Sequence, residues 1–517
     1  MLLGEMQSLY VCVAEKLLAE CTPTALFWSG MKNWLMALAT VALVGCGDMP
    51  ANKAHQAAPW TESRELVVLV QNGPTTFYVD AEGHYAGLEY DLVTRFASEN
   101  GLKVRFVVEP NYAKLFERLQ RNEAHLAVGV HQTTDESGIR FGPAYQSVRP
   151  VLVYRNDRSE QAALNAVLNG GATVETMPQY VQGLNQLKTK SPSLTWRVAE
   201  AGDSEELVEA VAQRKIDYAI VGSQVAELAQ KYYPQVAISE KSGDPQQLAW
   251  AMRDDDGELQ GKLTQFFAEV RADKSLAKLT DRYYGHVNRV GPPDSVAFLS
   301  KRTSVLPKYQ GWFKKAEAET EIDWRLLAAL SYQESHWDPN AVSPFGVRGL
   351  MMLTNDTAQR MGVDRLNPQQ SILGGARYLA LLRDGLDDAI AEPDRTWLAL
   401  AAYNVGLGHL LDARELARRQ GKNPDSWADV KTTLPLLRDP KYYNTVRFGY
   451  ARGGEPVAYV ETLRSFYDIL VRFESPATPA EPQLAANVEV LNPANRILQI
   501  NNRVARSRSK PVMTAAL

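Results

Sequence analysis

The 517-residue sequence has little cysteine and no metal-binding spacing. Its three cysteines, Cys12, Cys21 and Cys46, are too few for a disulfide framework. The seven histidines form no H-x-x-x-H pair, and the chain has no C-x-x-C segment. The sequence therefore predicts no metal site and no cofactor.

The sequence also has a small net charge, and its hydrophobic runs are short. A net charge of -4 gives no sign of a nucleic-acid partner. The apolar run at residues 34–44 is shorter than the roughly 20 residues that a membrane span needs, which disfavours a transmembrane anchor. The chain is also too long for one hydrophobic core, so we expect two or three domains.

The N-terminal region resembles a bacterial lipoprotein signal. Met31-Lys32 opens a short positive region, the apolar run follows, and Leu43-Val44-Gly45-Cys46 resembles a lipobox. The resemblance implies a mature chain that begins at a lipidated Cys46 and is held to a membrane by that lipid. Residues 1–30 fit no targeting pattern and are interpreted as an upstream start-site artefact. We expect a signal region at residues 1–46 and a tether at 47–63.

Strands and helices alternate between residues 64 and 289. Residues 66–70 and 104–108 are β-branched runs, and residues 88–100 and 112–121 have helical spacing. Alternation of this kind predicts βαβ units with a mainly parallel sheet.

Two short motifs in this region carry a resemblance to a known family. Gly87-Leu88-Glu89-Tyr90-Asp91-Leu92 and Phe141-Gly142-Pro143-Ala144-Tyr145 stand in the order found in periplasmic solute-binding proteins for amino acids. The resemblance implies two α/β lobes with a ligand cleft between them. It also implies an Arg shortly after a Thr, where the family clamps the ligand carboxylate. Here Asp135 and Glu136 follow the threonines and Arg140 is displaced, so a free amino acid is not the expected ligand.

In the second half of the chain, the sequence pattern predicts helices and no strands. We expect a linker at residues 290–300, a helical domain at 301–473 and a disordered tail at 474–517 with a basic stretch at 503–510.

One carboxylate in the predicted helical domain lies at a position where its negative charge is energetically unfavourable. Asp323 is a good N-cap, and Leu327 and Leu330 mark the apolar stripe of the helix that follows. Glu334 falls on the same stripe, near the helix C-terminus, so burial and the helix dipole both favour its protonated form. This predicts a general acid. The alternative is a structural Glu334 paired with a cation such as Arg348.

The segment around Glu334 resembles the signature of the lysozyme-like lytic transglycosylases. The matching blocks are Glu334-Ser335, Ala341-Val342-Ser343, the stretch at 346–351, and later blocks at 371–379, 401–408 and 459–460. The resemblance implies an all-α lysozyme-like domain that cuts peptidoglycan glycan strands between N-acetylmuramic acid and N-acetylglucosamine. It implies that Glu334 acts first as acid and then as base, giving a 1,6-anhydromuramyl product.

The same resemblance assigns Ser343, Tyr403, Asn404 and Tyr459 to the substrate cleft, with Tyr459 near the acid. For Tyr403 and Asn404, helix packing and capping remain the alternative. Met352 stands where the family has Gln, which removes an amide that would contact the sugar.

The order of the modules predicts a two-lobed α/β periplasmic-binding-protein-like domain followed by the lysozyme-like domain, and it resembles membrane-bound lytic transglycosylases. That resemblance suggests the periplasmic face of the outer membrane. The front module is expected either to bind a wall-derived peptide or muropeptide and influence catalysis, or to be a spacer that binds nothing. Two functional alternatives stay open: a solute receptor with a non-catalytic wall-docking domain, and a hydrolytic muramidase.

Overall fold

The computed structural model describes residues 56–80, 83–133, 136–199, 202–240, 243–344, 346–477 and 488–490. The predicted signal region with Cys46, most of the tether, Asp135 and the basic stretch lie outside these residues. Across the described part, no helix has the length and apolar content needed to cross a membrane. No group of three or more His, Cys, Asp and Glu side chains arranged to hold a metal ion is found there either.

The front half of the protein contains two mixed sheets, one per lobe. The first has the strand order β14-β4-β1-β5-β13-β6, with β7 also paired to β13, and the second has the order β10-β9-β11-β8-β12. The strands are β1 (Glu65–Val70), β2 (Tyr78–Val79), β3 (Tyr85–Ala86), β4 (Lys103–Val108), β5 (Leu126–His131), β6 (Ile139–Phe141), β7 (Gln146–Val148), β8 (Pro150–Arg155), β9 (Thr173–Thr176), β10 (Thr195–Val198), β11 (Ala219–Gly222), β12 (Val236–Ile238), β13 (Gln246–Arg253) and β14 (Val488–Val490).

The strand directions are less uniform than the sequence pattern predicts. β1 pairs in parallel with β4 and β5, as expected from βαβ units. β13 runs antiparallel to β5, and β8 runs antiparallel to β11. Each lobe therefore has a parallel part and an antiparallel part, because β13 and β8 enter their sheets in the opposite direction.

Helices cover these sheets and bury their apolar faces. Leu88, Leu92 and Phe96 lie on one face of the second helix and are buried against the first sheet. The helices of the front half are α1 (Trp60–Ser63), α2 (Leu88–Glu99), α3 (Tyr112–Gln120), α4 (Glu160–Leu168), α5 (Val181–Lys190), α6 (Ser204–Ala212), α7 (Ser223–Tyr232), α8 (Gly257–Ala272) and α9 (Ser275–Tyr284).

The second half is helical, and the fold class expected from the sequence is confirmed. Its helices are α10 (Pro292–Ser304), α11 (Gln310–Thr320), α12 (Trp324–Ser335), α13 (Asn355–Met361), α14 (Pro368–Asp384), α15 (Asp394–Val405), α16 (Leu407–Arg419), α17 (Trp427–Val430), α18 (Pro440–Tyr443) and α19 (Gly454–Phe473). α12 is the central helix, since Trp324, Leu327, Ala328 and Leu330 have no measurable exposure.

Two segments that we expected to be irregular are packed against the domains. Trp60, in the predicted tether, is buried, and its indole N–H donates to Asp256 at 2.8 Å. Most of the predicted linker belongs to α10, whose prolines occupy the first helical positions, where no backbone donor is needed. Phe298 of α10 is fully buried against Phe466, with ring centroids 4.6 Å apart. Linker composition alone therefore misplaced this boundary.

The expectation of a disordered tail does not hold for Val488–Val490. This short β14 strand pairs in parallel with β4 and forms the edge of the first sheet, with Val488 opposite Phe106. Alternating valines favour an extended strand, but the partner edge lies far away in the sequence.

α19 connects the helical half to the front half through buried charges. The Asp468 carboxylate lies 3.4 Å from the Lys231 ammonium and 2.6 Å from Nε2 of His286. One turn further on, Arg472 contacts Glu205 at 2.8 Å. Lys231 is 2% exposed, so its charge depends on Asp468 for compensation.

Replacing Asp468 should destabilise the joined domains. Asp468→Ala leaves the buried Lys231 without its carboxylate, which we expect to cost about 3–5 kcal/mol and to lower the urea midpoint of unfolding. Asp388→Ala is the control, because Asp388 is 92% exposed in its pair with Arg395 and its loss should cost less than about 1 kcal/mol. Equal midpoints for the two variants would contradict the buried linkage.

Candidate active site

The helix that carries Glu334 is fixed at both ends. At its start, the Asp323 side chain accepts from the backbone N–H of Arg325 at 2.7 Å, as expected of an N-cap. At its end, His336 and Trp337 take left-handed φ values of 51° and 59°, which turn the chain sharply. The Trp337 indole then donates back to the carbonyl of Ala328 at 2.8 Å. The last turn of α12 is therefore held in one position.

The Glu334 residue is partly exposed in that last turn, but its carboxyl group is buried and meets a tyrosine from α19. The Tyr459 hydroxyl donates to Oε1 of Glu334. Burial raises the pKa of Glu334 to about 7, and the Tyr459 hydrogen bond opposes this rise. Among the described residues Glu334 forms no ion pair, and the Arg348 side chain is exposed. The structural alternative, a pair between Glu334 and Arg348, is not found.

Two serines of α12 hold the loop that follows. The hydroxyls of Ser331 and Ser335 both donate to the carbonyl of Leu350, at 3.1 and 2.9 Å. Gly349 has a φ of 92°, and a Cβ there would lie 2.1 Å from the carbonyl oxygen of Arg365. The loop thus returns to the helix face beside the acid, and Gly349 permits this close approach.

Met351 is held by two further helices. Its backbone N–H donates to Oγ of Ser371 at 3.2 Å, and its carbonyl accepts from the Tyr403 hydroxyl at 2.8 Å. Its side chain lies against Gly375, where a Cβ would come within 2.5 Å. Three separated blocks of the sequence therefore meet at one residue, Met351, since Ser371 belongs to α14 and Tyr403 to α15.

The other two predicted cleft residues, Ser343 and Asn404, differ in their hydrogen bonds and exposure. Ser343 shapes the loop, because its Oγ accepts from the N–H of Val347 at 3.0 Å and its own N–H donates to the Val347 carbonyl at 2.9 Å. Asn404 is exposed in the last turn of α15, and within the described residues its side chain makes no hydrogen bond. Tyr403 is one residue away and supports the loop.

The structure thus brings Glu334 and Tyr459 into direct contact and places Tyr403 one contact further out. Burial, followed by the charge of Glu334, raises the pKa of both tyrosines well above the ordinary value, so both are hydrogen-bond donors at neutral pH.

Sequence reasoning missed Ser331 and Ser371. Ser331 lies four residues before Ser335 on the same helix face, which was the available signal.

This arrangement favours proton donation by a single carboxyl. A group with a pKa near 7 holds its proton in part of the molecules at neutral pH and can also accept one. Burial and Tyr459 account for the shift, and no second carboxylate of the described residues contributes to it.

Among the described residues of the front module, the displaced Arg140 bonds to a glutamine of the protein itself. Nη1 of Arg140 lies 2.5 Å from Oε1 of Gln260, on the exposed surface beside α8. At the junction of the lobes, the His131 ring of β5 packs edge-on against Tyr180, with centroids 5.2 Å apart. The Tyr112 hydroxyl accepts from the backbone N–H of His131 at 3.0 Å. Aromatic side chains of the protein itself therefore join the two lobes at this point.

Comparisons with known proteins agree with both halves of this description. Residues 66–286 match the family of bacterial extracellular solute-binding proteins, family 3, and residues 311–426 match the transglycosylase SLT domain.

The chain is also similar to three proteins, each described as membrane-bound lytic murein transglycosylase F. The protein of Nitrosospira multiformis is 43% identical, over 86% of this chain and 94% of its own length. That of Methylobacillus flagellatus is 40% identical, over 87% and 96%. That of Pseudomonas fluorescens is 38% identical, over 89% and 94%.

Identity at this level over nearly the whole of each relative confirms the resemblance that the sequence motifs indicated. This chain belongs to the membrane-bound lytic murein transglycosylase F family.

Proposed function

We propose that this protein is a lytic transglycosylase that cuts the β-1,4 bond between N-acetylmuramic acid and N-acetylglucosamine in peptidoglycan, as part of cell-wall turnover. The observation that carries the proposal is the buried Glu334 carboxyl with Tyr459 as its hydrogen-bond donor. Membership of the family supports the same reaction.

Glu334 would carry out both proton transfers. The protonated carboxyl donates to the glycosidic oxygen, the bond from that oxygen to C1 of the muramyl residue breaks, and the 2-acetamido group stabilises the cationic centre. Glu334, now a carboxylate, takes the proton of the muramyl C6 hydroxyl while that oxygen bonds to C1. The product is a 1,6-anhydromuramyl end, no water is consumed, and Glu334 regains its proton.

The neighbouring residues would position the acid and the sugar. Tyr459 holds the carboxyl and stabilises the charge that forms on it after the first transfer. Tyr403 keeps the loop at Met351 in place. We assign Ser343 and Asn404 to the substrate side of the cleft, and the exposure of the Asn404 amide supports its availability to a ligand.

We further propose a periplasmic location at the outer membrane, with a lipid on Cys46 as the anchor, and a role for the front module in sensing a wall-derived muropeptide. The membrane-bound character of the relatives supports attachment to a membrane. The engagement of Arg140 with Gln260 supports a ligand other than a free amino acid.

Glu334→Gln is expected to abolish the reaction. The amide keeps the shape of the side chain but cannot transfer the proton, so anhydromuramyl release should fall at least about 100-fold when followed by mass spectrometry. Glu319→Gln is a matched control, because Glu319 is an exposed partner of Arg377 and its loss should leave the rate unchanged. Persistent release by Glu334→Gln would refute the assignment, and products heavier by one water would identify a hydrolytic muramidase.

Tyr459→Phe should move the pH dependence of catalysis. The Tyr459 hydrogen bond lowers the pKa of Glu334, so its removal raises that pKa. Since the acid must be protonated, kcat/KM for the wild type should fall above about pH 7, and in the variant this fall should occur at higher pH. Tyr467→Phe, on the same helix but bonded to Asp323, should leave the profile in place. A shift to lower pH in Tyr459→Phe would contradict the proposed contact.

Calorimetry should distinguish a sensing module from a spacer. We expect a muropeptide to bind the full-length protein and to change its rate of glycan cleavage, whereas free amino acids produce no heat. Arg140→Gln should leave muropeptide affinity unchanged, because Arg140 is bonded to Gln260. If no muropeptide binds, or if the bound peptide leaves the rate unchanged, the sensing role fails.

A further inference from the structure

A short loop before α19 exposes two aromatic side chains. We call residues 447–450 the rim loop. Phe448 is 47% exposed and Tyr450 is 56% exposed. Single exposed apolar residues are common in proteins, but here two large aromatic side chains are exposed two residues apart in one short loop, and exposed apolar side chains that are grouped often mark a ligand-binding site.

The rim loop is exposed although its backbone is firmly held. The carboxylate of Asp412, which is 3% exposed, accepts the backbone N–H groups of Arg447, Phe448 and Gly449 at 3.0, 2.8 and 3.0 Å. A buried carboxylate with three N–H donors is a strong local constraint. The aromatic side chains are therefore presented on a rigid support.

The position of the loop relates it to the catalytic residues. The Phe448 ring lies directly over Gly408, where a Cβ would come within 2.7 Å of the ring. Gly408 follows Tyr403 by five residues, at the start of the next helix. In the other direction, the chain runs from the rim loop into α19, which delivers Tyr459 to Glu334. The rim loop thus contacts the start of α16, five residues after Tyr403, and leads along the chain to the helix that carries Tyr459.

The exposed side chains of the rim loop suit a ligand that combines a sugar ring with an acidic group. The faces of aromatic rings attract the C–H face of a pyranose, in the way that they attract other partially positive edges. Arg447 is exposed, and its guanidinium lies 5.2 Å from the centroid of the Phe448 ring. Within the described residues Arg447 has no carboxylate partner, so it is free to pair with an anionic ligand. Glycan strands with peptide stems offer both pyranose faces and carboxylates.

We propose that Phe448 and Tyr450 bind sugar rings of the glycan strand that lie beyond the two sugars on either side of the broken bond, with Arg447 facing a carboxylate of the attached peptide. This site would make the enzyme prefer long strands to short ones. The inference rests on the proposed function for its substrate, but the chemistry at Glu334 does not require it.

The test compares a long glycan strand with a tetrasaccharide that contains one cleavable bond. For Phe448→Ala and Tyr450→Ala, we expect KM for long strands to rise about tenfold, with kcat and tetrasaccharide cleavage unchanged; tenfold corresponds to about 1.4 kcal/mol. Phe448→Trp should restore the preference, since it keeps an aromatic face. Leu381→Ala, at a 39% exposed position of α14, is the control and should behave like the wild type.

A second variant displaces the ring without deleting it. Gly408→Ala places a methyl group against the Phe448 ring and should reduce the preference for long strands as Phe448→Ala does. An unchanged ratio of long-strand to tetrasaccharide cleavage in Phe448→Ala and Tyr450→Ala would overturn the proposal, as would an equal loss on both substrates. Failure of the proposed function would look different, because the wild type itself would release no anhydromuramyl product.

Discussion

The hydrogen bond from Tyr459 to Glu334 is the contact on which the rest of the site depends. Burial of the carboxyl favours its protonated form, while Tyr459 favours the carboxylate, and the balance leaves a pKa of about 7. A group balanced in this way can give a proton and take one back without a second carboxylate. The contact joins the last turn of α12 to the first turns of α19, so the relative position of the two helices influences the pKa of the proposed catalytic carboxyl.

The position of α19 is in turn fixed from both sides. Its inner face packs in the core of the helical domain, where Val460, Leu463 and Ile469 are fully buried. Its outer face carries Asp468 and Arg472, which form buried ion pairs with the front module. One helix therefore bears the tyrosine of the candidate active site and the polar contacts between the modules. Any shift of the front module relative to this helix has a direct mechanical route to Tyr459, which is a physical basis for the influence we propose for a bound muropeptide.

Much of this arrangement was predictable from local sequence, and what was missed depends on distant contacts. The N-cap at Asp323 and the place of Glu334 on an apolar stripe follow from helical periodicity. The nearness of Tyr459 to the acid followed from family resemblance, since about 125 residues separate the two. The hydroxyl of Ser371, the helical nature of the 290–300 segment and the pairing of Val488–Val490 with β4 were not predicted. The Ser371 contact and the pairing of Val488–Val490 depend on partners outside the local segment, whereas the prolines at the start of α10 were a local signal for a helix that was taken for a linker.

The central claim is that burial keeps Glu334 protonated near neutral pH, so that one carboxyl serves as acid and then as base. The most direct test is a 13C NMR titration of the Glu334 side-chain carboxyl in the full-length protein, with Glu334→Gln used to assign the signal. We predict a midpoint near 7, well above the ordinary value of 4.5. A midpoint at the ordinary value would contradict the account, because the group would then be a carboxylate at neutral pH and could not begin the reaction as an acid.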